Sequence, residues 1–438
     1  MTETCDVAVI GSGIGGLCAA ARLAHRGYKT IVVERMPLLG GRFASMQDKG
    51  FTITTGAMGI ECGGALEETY REVGAEFNVR RCPSPSIRYR IKGQDYALPE
   101  GGGGLRRLIS LAAEDEGETE TVMGAVKRAL AWEQPSPYLT LRQWLGYYTS
   151  NEAVLGIFQA FSSAIFATNA YETPAAEFVA FLKSSRFRDY GFPARGNSDV
   201  AESLARVVQQ GGGRVWTRSP ATAIIVEGGK AAGIVVAREG QDIRIESQAV
   251  VSDVGPRQTV ALAGESNFER GYLRYLQETL RPAPGISLFI TSDRPLLERP
   301  GVLIVTGTRR LSYLTCITLT CPEHAPPGQH LTIAFGVPGS ALGPYDLQKE
   351  IELLLADLRE VLPGFENDER LHMVATFQGD WPVYRTWQGF DLPQKTPIEN
   401  LYNVGDGVKL PGCPGLEGCA ETARVVVEEI EKRLVIGH

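Results

Sequence analysis

The chain opens with short apolar runs that alternate with a segment whose apolar residues lie at helical spacing. The run "VAVIG" (7–11) predicts a buried strand, and "GLCAAARLAHRG" (16–27) predicts a helix rich in Ala and Leu. A second apolar run, "KTIVVE" (29–34), predicts another strand directly after that helix. Strand, helix and strand in this order are typical of an α/β domain with a parallel sheet.

Two later patterns add helices. The stretch "DLQKEIELLLADLREVLPGF" (346–365) has apolar residues at helical spacing. The C-terminal stretch 400–434 begins as a short strand and continues through glycines into an amphipathic helix. The most apolar stretch, 153–170, is interrupted by polar side chains, so we do not expect it to span a bilayer.

The composition narrows the classes of partner. The chain has 438 residues, 43% of them hydrophobic, which is long enough for two or three packed lobes. Its net charge is −7. No run of Lys and Arg exceeds two residues, which argues against nucleic acid or an anionic membrane surface as the main partner. The N-terminus has no pattern of an export signal, and the eight cysteines form no C-x2-C pair. We therefore expect a cytoplasmic protein with reduced thiols, no transmembrane segment and no metal site.

The glycines between the first strand and helix have the spacing G-x-G-x-x-G. Gly11 permits a tight turn, Gly13 lets the backbone approach a diphosphate, and Gly16 lets the helix lie close to the sheet. Glu34 ends the second strand, where an acid accepts hydrogen bonds from the hydroxyls of an adenosine ribose. The pattern predicts a dinucleotide site that includes the whole loop, namely Gly11, Ser12, Gly13, Ile14, Gly15 and Gly16.

Glu34 and Arg35 are followed closely by Gly40, Gly41 and Arg42 in "RMPLLGGRFAS". In this feature the sequence resembles the FAD-dependent superfamily of amine oxidases and phytoene desaturases, in particular its phytoene dehydrogenase-related branch. The resemblance implies non-covalently bound FAD, with the two glycines and Arg42 on its diphosphate and ribityl side. An arginine at such a site forms charge-assisted hydrogen bonds with phosphate.

Two further segments resemble the same superfamily. In the C-terminal one, Gly405 and Asp406 correspond to contacts with the ribityl chain and phosphate, and the helix start at Gly415, Leu416 and Glu417 corresponds to the flavin edge. In "YGFPARGNSDVAESLARVVQQGGGRVWTRSPATAIIVEGGKAAGIVV", Ala221 corresponds to the contact with adenine. Thr54 and Thr55 stand where the family often has an acid, so contacts from that segment are not implied.

The resemblance implies an α/β fold in which a Rossmann-like FAD-binding domain of the glutathione-reductase type is interleaved with a mixed α+β substrate domain. The expected FAD-binding parts are 1–75, 195–262 and 370–438. The expected substrate-domain parts are 76–194 and 263–369.

No second G-x-G-x-x-G follows a strand, so we expect no NAD(P)H domain. Electrons would leave for oxygen, a quinone or another acceptor, and the oligomeric state stays open. Three functions compete: a desaturase or dehydrogenase of CH–CH bonds, an amine oxidase, and a non-enzymatic binder of prenylated proteins. The binder has no need of the FAD motifs. No lysine occurs between Lys230 and Lys349, the region where many amine oxidases of the superfamily place one beside the flavin.

We therefore expect CH–CH oxidation of a small molecule, such as a cyclic ketone or an alicyclic acid. A carotenoid or isoprenoid desaturase or isomerase remains an alternative. Candidate catalytic residues lie in "FQGDWPVYRTWQGFDLPQ" (377–394), where Trp381, Tyr384 and Trp387 recur at intervals of three. Tyr384 is the candidate acid or base, and Arg385 could hold a carboxylate. The competing interpretation is an aromatic packing cluster with one surface arginine.

Overall fold

The computed structural model describes residues 2–98, 103–184, 189–366 and 370–434. The strands are β1 (Thr2–Ile10), β2 (Thr30–Val33), β3 (Ser45–Asp48), β4 (Phe51–Thr54), β5 (Ile60–Cys62), β6 (Val79–Arg81), β7 (Ile87–Ile91), β8 (Gln94–Ala97), β9 (Asp189–Pro193), β10 (Arg214–Trp216), β11 (Ala221–Glu227), β12 (Lys230–Arg238), β13 (Gln241–Ser252), β14 (Gly285–Ser292), β15 (Val302–Val305), β16 (Leu311–Cys316), β17 (His330–Gly336), β18 (Leu371–Phe377) and β19 (Leu401–Asn403).

The helices share the same order along the chain. They are α1 (Ile14–His25), α2 (Ala65–Val73), α3 (Gly104–Ala113), α4 (Glu116–Ala131), α5 (Leu141–Leu145), α6 (Glu152–Phe166), α7 (Ala175–Ser184), α8 (Asn197–Gln210), α9 (Pro256–Ala263), α10 (Arg270–Thr279), α11 (Leu347–Val361) and α12 (Gly415–Arg433). The strand, helix and strand predicted at the N-terminus and the helices predicted at 346–365 and near the C-terminus are confirmed.

The first large sheet has the strand order β10-β2-β1-β13-β12-β11, with β19 also paired to β13. Strands β10, β2, β1, β13 and β19 are parallel, and the β11, β12 and β13 meander is antiparallel. The long strand β13 pairs with β12 through its first half and with β19 through its last three residues.

Side chains alternate between the two faces of this sheet. Val7 and Val9 of β1 pack with α1, α2, α8 and α12, whereas Ala8 and Ile10 pack with α9 and α10. Both faces are therefore covered, which explains why the central strands are apolar without interruption.

The carboxyl ends of the parallel strands define the site. Ile10, Val33, Ser252 and Asn403 are the last residues of β1, β2, β13 and β19. The polar segment that follows each strand emerges at the same edge, because parallel strands end on the same side of a sheet. The glycine loop, Glu34, Asp253 and the Gly405–Asp406 pair are thereby brought together.

The second large sheet has the order β18-β14-β17-β16-β15-β7-β8 and is mainly antiparallel. Helices α3 to α7 cover one part of it through a core that includes Tyr89, Phe158 and Ile304, and α11 packs against another part through Leu354 and Leu358. The fold is thus a mixed α/β fold with more than one sheet. The domain boundaries expected from the sequence stay a prediction.

Candidate functional site

The glycine loop leaves no room for side chains. Gly11 has φ +93°, a left-handed conformation that glycine adopts without strain. A Cβ on Gly13 would collide with the Asp253 carboxylate, and one on Gly15 would lie 2.6 Å from the Cα of Gly405. A Cβ on Gly16 would collide with the carbonyl oxygen of Gly11. Gly11 is therefore required by its backbone conformation. Gly13, Gly15 and Gly16 are required because neighbouring atoms occupy the space of a side chain.

Glu34 holds this loop from the end of β2. Its Oε2 accepts hydrogen bonds from the Ser12 amide (3.0 Å) and the Ser12 hydroxyl (2.8 Å), and its Oε1 accepts one from the Met36 amide (2.7 Å). The residue is 7% exposed. A carboxylate has about four lone-pair positions, so Glu34 retains capacity to accept further hydrogen bonds.

The Gly40–Arg42 turn lies against the loop. The Gly40 amide donates to the Ser12 carbonyl at 2.8 Å. The Arg42 guanidinium is 2.7 Å from Asp406 Oδ2 and donates to the carbonyl oxygens of Pro382 and Val383 at 3.0 and 2.9 Å. Arg42 thus joins the N-terminal turn to the C-terminal Gly405–Asp406 segment and to the segment that contains Tyr384.

Thr55 supports the same turn in place of the acid that the family often carries. Its hydroxyl accepts from the Ala44 amide at 3.0 Å and donates to the Gly41 carbonyl at 2.9 Å. Its own carbonyl accepts from the Trp381 indole at 3.1 Å. The neutral side chain of Thr55 therefore holds the turn through hydrogen bonds with the backbone.

Beneath Asp406 lies a buried lysine. Lys409 Nζ is 2.7 Å from Asp406 Oδ1 and 2.9 Å from Asp391 Oδ1, and its side chain has no exposed surface. Burial opposes ionisation of Asp406, but Lys409 and Arg42 outweigh it and hold the pKa of Asp406 well below its usual range. Burial raises the pKa of Asp391 to about 6, an effect that Lys409 offsets only in part. The sequence contained no local signal for this lysine.

Asp253 was also missed. It follows β13, and its carboxylate lies against Gly13, Gly15, Gly16 and Gly405. Its Oδ2 is buried without a hydrogen-bond partner, and burial raises the pKa of Asp253 to about 7. An orphan carboxyl oxygen at the start of α1 indicates that a polar group belongs beside it.

One cavity of about 410 Å³ unites these features. Its lining includes most of the residues predicted to contact the cofactor, namely Gly11, Ser12, Gly13, Ile14, Gly15, Glu34, Arg35, Gly40, Gly41, Arg42, Ala221, Asp406, Gly415 and Leu416. Gly16 and Gly405 lie just behind this wall. A second, larger cavity of about 660 Å³ near Arg80 and Glu323 is open to solvent and contains none of these residues.

Glu417 does not line the cavity, although the sequence placed it at the flavin edge. Its Oε1 accepts from the Leu66 amide at 3.4 Å, and the side chain lies against Gly64. Burial raises the pKa of Glu417 to about 7. The carboxylate therefore turns toward the start of α2, while Gly415 and Leu416 keep the start of α12 at the cavity wall.

The far half of the cavity is apolar and aromatic. We call this part of the cavity the tyrosine half. It is formed by strands of the second sheet, by β9 and by the end of α6. Its lining consists of Ile87, Ala164, Ile165, Ala167, Tyr190, Val302, Ile304, Tyr313, Phe335 and Tyr384. Glu61 also lines it, and no lysine occurs among the described lining residues. The other half, which we call the glycine half, is polar and charged and is lined by residues such as Ser12, Glu34, Arg42, Asp253 and Asp406. The tyrosine half includes the carboxyl group of Glu61.

The aromatic residues of the segment 377–394 lie in different places, some at the cavity and one in the core. Tyr384 lines the tyrosine half, where its hydroxyl donates to the Ile165 carbonyl at 3.1 Å and a Cβ on Gly415 would lie 3.6 Å from it. Trp381 lines the cavity, but Trp387 is 3% exposed and packs against Phe390.

Arg385 lies over Gly255 in the glycine half. Burial, and then the neighbouring charge of Arg42, lower the pKa of Arg385 to about 10. This position does not favour the expected role of Arg385 as the holder of a substrate carboxylate in the tyrosine half. The cause is the course of the backbone: the Arg385 amide donates to Asp406 at 2.6 Å, which turns this residue toward the strand ends.

A glycine loop between a strand and a helix, with an acid at the end of the next strand and a cavity at the carboxyl ends of the parallel strands, is typical of oxidoreductases that bind a dinucleotide cofactor. Residues 14–430 match the family described as flavin containing amine oxidoreductase, and the chain belongs to that family of FAD-dependent enzymes. Among the described residues, no helix is long and apolar enough to cross a membrane.

Three relatives bear on function. The structure of an oxidoreductase from Methanosarcina mazei is 29% identical, with a TM-score of 0.85, and the match covers 98% of this chain and all of that one. Prolycopene isomerase from Daucus carota is 24% identical over 92% of this chain and 76% of its own length. The zeta-carotene-forming phytoene desaturase of Myxococcus xanthus is 26% identical, over 57% of this chain and 53% of its own length.

The buried Lys409 should carry much of the stability of the site. Replacement of Lys409 by Met leaves Asp391 and Asp406 without their common cation, and loss of one partner of a buried pair costs about 3–5 kcal/mol. Urea unfolding should show this loss, and the loss should be smaller at about pH 5 than at about pH 8, since protonation of Asp391 removes an uncompensated charge.

The control for this variant is Lys230→Met. Lys230 pairs with Glu399 at 3.0 Å, but both side chains are about half exposed, so its removal should change the free energy of unfolding by about 1 kcal/mol or less. Equal losses in the two variants would contradict the role given to Lys409.

Proposed function

We propose that this protein oxidises a CH–CH bond of an apolar small molecule, with FAD in the glycine half of the cavity and the substrate in the tyrosine half. The observation that carries the proposal is the division of one cavity into a polar, charged half and an apolar half. FAD, when bound, supplies an acceptor for hydride at its N5. In this reading, β1, β2, β10, β13 and β19 form a Rossmann-like FAD-binding domain of the glutathione-reductase type, and the second sheet belongs to the interleaved substrate domain.

The residues of the glycine half fit FAD chemically. Helix α1 has Gly13 as its N-cap, no side-chain cap and no acid in its first turn, so its N-terminal amides and dipole are available to a diphosphate. Arg42 and Arg385 add positive charge on that side, and Glu34 has acceptor capacity for ribose hydroxyls. Asp253 Oδ2 is buried without a hydrogen-bond partner, which supports a contact with a polar group of the cofactor. The residues we assign to FAD are therefore those predicted from the sequence other than Glu417, together with Asp253 and Arg385.

The substrate would lie in the tyrosine half, among its apolar and aromatic side chains. No described arginine or lysine lines this half, which favours a ketone over an alicyclic acid and gives no partner to an anionic group. The absence of a lysine from the described lining also favours CH–CH oxidation over amine oxidation. The electrons would then pass to oxygen, a quinone or another acceptor.

A second substrate class has support from the comparisons. The relatives from Daucus carota and Myxococcus xanthus carry names that refer to carotenoid substrates. An isoprenoid chain with its double bonds would also suit apolar walls. This alternative shares the CH–CH chemistry and differs in the length of the substrate.

The first experiment is anaerobic bleaching of the flavin absorbance by panels of saturated cyclic ketones, isoprenoids and amines. We expect a ketone to bleach the flavin, because the tyrosine half contains hydroxyl donors and no cation. Bleaching by amines alone would overturn CH–CH oxidation in favour of amine oxidation, and bleaching by isoprenoids alone would change the substrate class.

The assignment of Glu34 is tested by Glu34→Arg. This change removes the acceptor that holds Ser12 and places a cation where ribose hydroxyls would bind, so the purified variant should be largely colourless. The absorbance ratio of flavin to protein measures the loss. The matched control, Glu202→Arg, changes an exposed acid on α8 and should keep the full yellow load. A fully loaded Glu34→Arg variant would exclude the proposed role.

A further inference from the structure

Glu61 is a carboxyl group among the apolar and aromatic side chains of the tyrosine half. It lies at the centre of β5, whose neighbours Ile60 and Cys62 point into the core, so that its side chain points to the opposite face and lines the tyrosine half. No described residue forms a hydrogen bond or ion pair with its carboxyl group. A carboxyl group held in an apolar cavity without an internal partner has no structural role that explains its burial.

The register of the strands places a tyrosine beside it. Strands β5, β9 and β6 form a small three-stranded sheet. In it Glu61 of β5 lies directly opposite Tyr190 of β9, so both side chains project from the same face. The Tyr190 ring packs on Gly59, where a Cβ would lie 2.5 Å from it. All four side chains, Glu61, Tyr190, Tyr313 and Tyr384, line the tyrosine half. Burial raises the pKa values of Tyr190 and Tyr384 well above their usual range, and the neighbouring Glu61 and Tyr313 add to both shifts.

Tyr313 offers the complementary donor. It lies on β16, and its ring packs at a tilt against that of Phe335, with 5.2 Å between the ring centroids. Its hydroxyl has no hydrogen-bond partner among the described residues. By contrast, the Tyr384 hydroxyl already donates to the Ile165 carbonyl. The tyrosine half therefore presents one uncommitted carboxyl group and one uncommitted hydroxyl group to the same apolar space.

We propose that Glu61 is the catalytic base that removes a proton from the carbon next to a substrate carbonyl, and that the Tyr313 hydroxyl donates to that carbonyl oxygen. The proposal rests on the proposed CH–CH oxidation. The β-carbon loses hydride to FAD, and the α-carbon loses its proton to a Glu61 carboxylate oxygen. The electron pair of that α-C–H bond forms the C=C bond, so the substrate is oxidised by two electrons and the flavin is reduced by two.

The surroundings of Glu61 suit a base at neutral pH. Burial raises the pKa of Glu61 to about 8, and the negative charge of Glu417 on α12 adds to the shift. The other titratable groups that face it are Tyr190, Tyr313 and Tyr384, each with its pKa raised by burial. A base whose pKa lies near the working pH combines a useful carboxylate fraction with a strong drive to accept the proton.

The test separates proton removal from hydride transfer. The holoenzyme is first reduced with dithionite, which leaves no hydride acceptor, and is then incubated in D2O with cyclohexanone, 2-methylcyclohexanone or 2-decalone. Mass spectrometry measures deuterium at the α-carbon. We expect enzyme-dependent exchange whose rate rises with pH and levels off above about pH 8, because deprotonation of Glu61 creates the base.

The Glu61→Gln variant should lose this exchange by about 100-fold or more and with it the rise with pH, while its flavin absorbance stays unchanged. Glu61→Asp, which keeps the carboxylate, should retain part of the exchange. The matched control is Glu202→Gln, which should behave as the unaltered protein. Exchange that is equal in Glu61→Gln and the unaltered protein, or absent with every ketone, would overturn the proposal.

The role of Tyr313 is tested in the same assay. Tyr313→Phe should lower the exchange rate by about 100-fold, which is the typical loss for one donor to a developing oxyanion. Tyr384→Phe should lower it less, because its hydroxyl is bound to the Ile165 carbonyl. The opposite order of the two variants would transfer the donor role to Tyr384.

The outcomes distinguish the two proposals. Exchange without bleaching of the oxidised flavin would keep Glu61 as a base and exclude CH–CH oxidation. Bleaching that persists at full rate in Glu61→Gln would keep the oxidation and exclude Glu61.

Discussion

The ion-paired carboxylate of Asp406 is the interaction on which the site depends. It lies between Arg42 at 2.7 Å and Lys409 at 2.7 Å, and it also accepts the amide of Arg385. These contacts fasten the turn after β2, the segment after β19 and the segment that carries Tyr384 to one point. Since each charge is largely withdrawn from water, the arrangement is favourable only while every partner is present. The polar half of the cavity therefore exists as one cooperative unit.

Sequence reasoning located the parts of this unit that are encoded locally. The glycine loop, Glu34 and the Gly40–Arg42 turn lie within a few residues of strand ends, where spacing alone indicates the geometry. Lys409 and Asp253 gave no such signal, because their importance comes from charges contributed by distant segments. The same limit applies to the fold. The N-terminal strand, helix and strand could be predicted from the local pattern of apolar residues, whereas the second sheet could not, because it joins strands that are far apart in the chain.

The tyrosine half shows the same limit more sharply. Glu61 lies on a three-residue strand, and Tyr313 lies on a strand of the other sheet, so no spacing relates them. Of the aromatic residues at intervals of three, Trp381 and Tyr384 line the cavity, but the segment is not a helix. Trp387 turns into the core, and Arg385 turns toward the strand ends. Regular spacing predicts a common face only where the backbone is regular.

The contrast between the two halves has a chemical consequence. The glycine half is rich in fixed charges and amides, while the tyrosine half offers little solvation to an ion, so burial there raises the pKa of Glu61 to about 8. A group that accepts a proton from a C–H bond in one direction must return it in the other. The same side chains would therefore serve formation or saturation of a C=C bond, and the direction is decided by the redox state in which the flavin meets the substrate. Under the proposed CH–CH oxidation, the electron acceptor rather than the geometry of the tyrosine half would determine the direction of the reaction.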